Sequence, residues 1–89
     1  MNADNDWTQF REEAKERRQA KEIVALNIIE VWCNGNNSRL KVIADWQFRV
    51  VSDTLTIDIY PQHNKYHNII VNKRGKYRDL TTFLNEQFL

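Results

Sequence analysis

The sequence predicts an α+β two-layer sandwich in the order α-β-β-β-α: a three-stranded antiparallel sheet with both helices on one face. Three observations lead there. The first third is dense in helix formers, the middle alternates apolar and polar side chains, and the last ten residues space apolar groups helically. Short connections favour a meander of neighbouring strands, and an alternating sheet leaves its other face wet.

The first element spans about 7–33. Asp6 is placed as its N-cap, with Gln9 three residues on as in a capping box. Glu13 and Arg17 stand at i,i+4 spacing, and Trp7, Phe10, Ala14, Ala20, Val24, Ile28 and Val31 form an apolar stripe interrupted by Arg17 and Lys21. Asn34-Gly35 suits its C-cap. Residues 39–51 read as one long strand, with Leu40, Val42, Ala44, Trp46, Phe48 and Val50 inward. Ser52-Asp53 turns the chain into a second strand at 54–60, where Leu55, Ile57 and Ile59 face in and Pro61 stops the ladder. A third strand runs about 65–72, and Lys73-Arg74-Gly75-Lys76 reads as the next turn. A helix over about 79–88 closes the chain, started by Asp79 and burying Leu80, Phe83, Leu84 and Phe88.

Eighty-nine residues make one domain, 1–89. With 42% hydrophobic and 28% charged residues, two glycines and one proline, the chain is globular rather than disordered or repetitive. No apolar run approaches the roughly 18 residues of a membrane span, and the acidic, polar N-terminus is unlike a signal peptide. A lone cysteine favours a reducing, cytoplasmic setting.

Catalytic and metal patterns are sparse. His63 and His67, with Cys33 or Asp58, have the residue types of a zinc site, but their segment reads as loop and strand and not as a helix face. Cys33 sits beside Trp32 at a helix end, where cysteine acts as a small hydrophobe. Ser38 and Ser52 lie in turns. Asp45 and Asp58 are possible neighbours across a hairpin, best read as solvated carboxylates. No phosphate-cradling loop or dinucleotide fingerprint occurs. The expectation is a protein that is not an enzyme and carries no cofactor and no metal.

Net charge is +1, but residues 1–6 carry −2, residues 7–38 carry 0 and residues 39–89 carry +3. Lys65, Lys73, Arg74, Lys76 and Arg78 follow one another with no intervening acid, and Tyr60, Tyr66 and Tyr77 are interleaved. Cations that neutralise phosphate beside rings that stack on bases are the ingredients of a nucleic-acid surface. Lys65, Tyr66, Lys73, Arg74, Lys76, Tyr77 and Arg78 are therefore the candidate nucleic-acid or partner-binding residues. Outward Arg39, Lys41 and Arg49 would extend them across the sheet, and Arg11, Lys15 and Arg18 share one side of the first helix. A second candidate is an apolar patch of Ile43, Val51 and Tyr60 for a protein partner, and the first helix offers a homodimer contact.

Trp7-x-x-Phe10-Arg11-Glu12-Glu13, then Ile57-Asp58-Ile59-Tyr60-Pro61, Lys65-Tyr66 and the basic glycine segment Lys73-Arg74-Gly75-Lys76 resemble a loose group of small phage and prophage proteins. The sequence departs from that pattern in lacking glycine at 62–64 and in its longer middle strand. The resemblance implies a mobile-element origin and no assigned activity. The α-β-β-β-α order is also similar to the double-stranded-RNA-binding domain, with the basic cluster just before the last helix. The expectation is a small binding module of phage type for nucleic acid or a host nucleic-acid-handling protein. The alternative is an anti-CRISPR-like inhibitor of a host defence system that binds protein directly.

Overall fold

The computed structural model describes residues 3–88, with side chains from Glu13 to Phe88. Helix α1 spans Ala3–Gly35; strands β1 Arg39–Ala44, β2 Gln47–Val51, β3 Thr56–Tyr60, β4 Lys65–Asn68 and β5 Lys73–Lys76 follow, and α2 spans Leu80–Phe88. The strands pair antiparallel in the order β1-β2-β3-β4-β5. The α+β class and the succession of helix, sheet and helix agree with the sequence reading. The sheet, however, has five strands where the sequence predicts three, which also separates it from the double-stranded-RNA-binding order.

The first extra strand hides in the segment 39–51. Lys41 pairs with Arg49 and Val42 with Phe48, partners an even number of residues apart. Up to the Val42–Phe48 pair even positions therefore keep one face on both strands, so the alternation in the sequence gives no sign of the turn at Asp45-Trp46, although Ala44, expected inward, pairs with Gln47 on the other face. The register shifts between Val42 and Ala44, so Ile43 is accommodated as a bulge. Neither turn residue has positive φ, so no glycine or asparagine marks the reversal.

The second correction falls at 65–76. Ile69, Ile70 and Val71 look like strand but form a turn, while Lys73–Lys76, expected as a turn, forms β5. Buried Asn68 makes the turn: its Oδ1 accepts from the Ile70 N–H at 3.1 Å and the Val71 N–H at 3.4 Å. Asn72, at φ 52°, closes it. β5 then pairs Gly75 with Tyr66. A Cβ on Gly75 would lie 2.8 Å from Tyr66 Oη, so only glycine lets that ring lie flat over the strand.

Helix α1 starts before the expected cap: Asp6 lies within it, and the side chains of Asp6, Trp7, Gln9, Phe10 and Arg11 lie outside the described side chains. Arg17 Nε reaches the Glu13 carbonyl, not its carboxylate. At the other end Asn37, not Gly35, takes the left-handed conformation at φ 53°, and the Ser38 N–H donates to the Cys33 carbonyl at 3.2 Å, a Schellman-type ending. Thirty-three residues make α1 about 50 Å long, matching a molecule of 57 × 25 × 21 Å. Residues 13–21 are exposed apart from partly covered Ala14.

Ala25, Ile29, Trp32 and Cys33 of α1 share one core with Phe48, Val50, Ile57 and Ile59 of the sheet and Leu80, Phe83 and Leu84 of α2. Both helices therefore cover the same face of the sheet. Trp32 ties them together: its Nε1–H donates to Asn85 Oδ1 at 2.8 Å, and its ring meets Phe88 at 5.2 Å. Asp79 caps α2 as expected, its Oδ2 accepting from the Thr82 N–H at 2.9 Å and the Thr82 hydroxyl at 2.7 Å. Among the described residues no helix is long and apolar enough to cross a membrane.

Candidate nucleic-acid interface

The uncovered face of the sheet follows from strand register. Lys41 lies opposite Arg49, Arg49 opposite Asp58, Asp58 opposite His67, and His67 opposite Arg74. Paired residues share a face, so these five side chains form one row across the sheet, about 19 Å wide at the usual strand spacing. A second row holds Tyr60, Lys65 and Lys76, and Arg39 stands on the same face two residues from Lys41. The face thus carries six permanent cations, Arg39, Lys41, Arg49, Lys65, Arg74 and Lys76, plus His67, against Asp58 as its one strand carboxylate.

Asp58 is committed elsewhere. It is 3% exposed, and its Oδ1 and Oδ2 accept from Arg49 Nε at 2.7 Å and Nη2 at 3.1 Å, with Gln47 Nε2 at 2.9 Å. The bidentate bond, then the charge itself, holds the guanidinium more firmly protonated than usual. Both acceptor oxygens are satisfied, so Asp58 anchors Arg49 and leaves the remaining cations uncompensated. Asp45 lies by the α1–β1 groove with Glu22 and Ile23, so the expected Asp45–Asp58 neighbourhood does not form.

The rows end in aromatic rings. Trp46, in the β1–β2 turn, stacks on Tyr60 with centroids 6.4 Å apart and planes 19° from parallel. Trp46 is 51% exposed, contrary to its inward placement by alternation; as a turn residue it leaves the pleat. An open groove of ≈ 370 Å³ beside this pair is lined by Tyr60, Lys65, His67, Arg74 and Lys76, with Tyr66 and Gly75 between them.

The expected cluster at 65–78 is split by β5. Lys65, Arg74 and Lys76 reach the open face. Lys73 pairs with inward Asn68 and so belongs to the helix side, exposed at the sheet edge. Tyr66 packs on Phe83 at 4.5 Å and Tyr77 on Phe83 at 5.6 Å, so neither ring is offered to a base. Burial pushes the Tyr77 hydroxyl up to about 12. Arg78 lines a separate groove with Lys21, Val24 and Asp79. Ile43 is exposed at the β1 bulge, while Val51, opposite Arg39 on the open face, is half covered.

The other candidates disperse. His63 ends a short 3-10 helix, Pro61–His63, that follows β3, His67 Nε2 meets Asn72 Oδ1 at 2.9 Å, and Cys33 is buried in the core. Burial raises the Cys33 thiol pKa, which disfavours the thiolate. Comparison with family models, curated proteins and solved structures finds no match.

Proposed function

We propose that this chain is a non-enzymatic nucleic-acid-binding module that uses the open face of its sheet. The observation that supports it most is charge: six cations on one uncovered face, with the single strand carboxylate locked to Arg49. Carried on neighbouring strands, these side chains present a shared positive field to phosphates. On single strands each phosphate contact adds about 0.7 to the slope of log affinity against log salt, so four or five contacts, with Arg49 held by Asp58, imply a ~50- to ~130-fold loss between about 50 and about 200 mM salt. Neutralising Arg39, Lys41 and Arg74 together to glutamine is expected to lower that slope by about 2. The same change at Lys15, Arg18 and Lys21 of α1 is expected to leave it unchanged. Anisotropy titrations across salt check this, and a slope that tracks the helix cations instead would refute the open face.

A second reading, the anti-CRISPR-like inhibitor of a host defence protein, is favoured by Ile43 and Trp46, which lie 47% and 51% exposed at the β1–β2 end of the sheet. It predicts a stoichiometric protein complex and no affinity for free nucleic acid. Nuclease treatment before capture from host lysate separates the two readings, because only a protein complex survives it.

A further inference from the structure

We infer that the β4–β5 groove seats the phosphate of a single-stranded nucleic acid whose neighbouring base lies on the Trp46–Tyr60 pair. This rests on the open-face reading and specifies the form of the strand and where base and phosphate go.

The first observation is an electrostatic conflict. Lys65 stands directly opposite Lys76 on one face of one hairpin, and Arg74 adds a third cation on that face two residues from Lys76. Opposed like charges in a sheet are destabilising, with Cβ atoms about 5 Å apart. Among the described residues the one ion pair near them is Arg49–Asp58, and it is saturated. A bound phosphate supplies the missing negative charge and turns a local repulsion into two charge-assisted contacts.

The second observation is adjacency. Tyr60 lies opposite Lys65, and Lys65 opposite Lys76, so the ring on β3 and the cations on β4 and β5 occupy three successive strands, the midpoint of the cation pair about 7 Å from the ring's strand. That separation suits the base and phosphate of one nucleotide. Stacking on Trp46 requires a base with a free face. A duplex hides those faces in its own stack, and a single strand exposes them.

The test combines stability with binding. Without ligand, Lys76→Gln is expected to raise Tm by about 1–4 °C by removing the opposed charge. The same variant should lower the salt slope for an eight-residue oligothymidylate by about 0.7. Trp46→Ala should weaken that oligomer ~5- to ~150-fold while leaving an abasic octamer unaffected. A lower or unchanged Tm for Lys76→Gln, equal loss of the abasic strand in Trp46→Ala, or tighter binding of an eight-base-pair duplex than of the oligomer would each overturn the inference. If the Arg39, Lys41 and Arg74 triple variant weakens binding but Lys76→Gln and Trp46→Ala do not, the open face survives and this seat does not. Absence of binding to every nucleic acid removes both.

Discussion

Asparagine does the work that glycine does in most small domains. The chain has only two glycines and neither adopts positive φ, whereas Asn37, Asn64 and Asn72 all do. Asparagine tolerates the left-handed region because its short amide bonds locally. Asn64 carries the link from β3 to β4, and its carbonyl accepts the Tyr77 N–H at 2.9 Å. Asn64→Ala is expected to cost about 1 kcal/mol and Asn64→Gly close to nothing, measured by denaturant unfolding. Two titrating groups give opposite pH signatures. Hydrogen bonds from the Thr82 side chain and then its backbone hold the Asp79 carboxyl below its ordinary value. A depressed folded value means its contribution is present above about pH 3.9 and is lost as pH falls through the folded value. Asp79→Ala should therefore lower Tm at pH 7, and the gap to the parent should close in strong acid. Tyr77, raised to about 12 by burial, favours the neutral phenol in the fold. That contribution is complete below about pH 10 and disappears as pH rises through the folded value. Tyr77→Phe should flatten the alkaline decline in stability.

At the scale of elements, the sequence reading holds where pattern and hydrogen bonding agree and fails where they diverge. The long first helix is legible from its run of helix formers although both its ends lie beyond the expected caps, and the inward set Leu40, Phe48, Val50, Ile57 and Ile59 and the Asp79-capped last helix are legible from period and cap. The β1–β2 turn is not, because even-numbered pairing preserves the alternation and Asp45-Trp46 needs no special backbone. At 69–71 three β-branched residues mimic a strand, and the Asn68 side chain overrides them by taking the Ile70 and Val71 N–H groups. Gly75 looks like a turn residue but is a packing residue, since Tyr66 lies on it from one side while Phe83 holds the ring from the other. Gly75→Ala should cost about 1–3 kcal/mol by overpacking, and less in a Tyr66→Leu background. Chemical denaturation of the two singles and the double gives the coupling directly.

The whole molecule separates its charges without departing from near-neutrality. A net charge of +1 conceals an uneven distribution: acids and bases balance over residues 7–38, while residues 39–89 carry +3 and gather cations on the sheet's far side. The cluster at 65–78 was visible as composition, but its geometry depends on β5. Strand pairing sends Arg74 and Lys76 out, turns Lys73 the other way and leaves Tyr77 and Arg78 beyond the strand. Outward Arg39, Lys41 and Arg49 were legible from alternation; Trp46 was not, since its exposure follows from the hidden turn. The most direct measurement uses two indoles on opposite sides of the sheet. Trp32 donates to Asn85 in the core, while Trp46 stacks on Tyr60 at the open face. Titrating a short oligothymidylate into ¹⁵N-labelled protein is predicted to shift the Trp46 Nε1–H resonance and leave that of Trp32 in place. A titration in which binding leaves Trp46 unmoved, or moves Trp32 instead, would contradict binding at the open face.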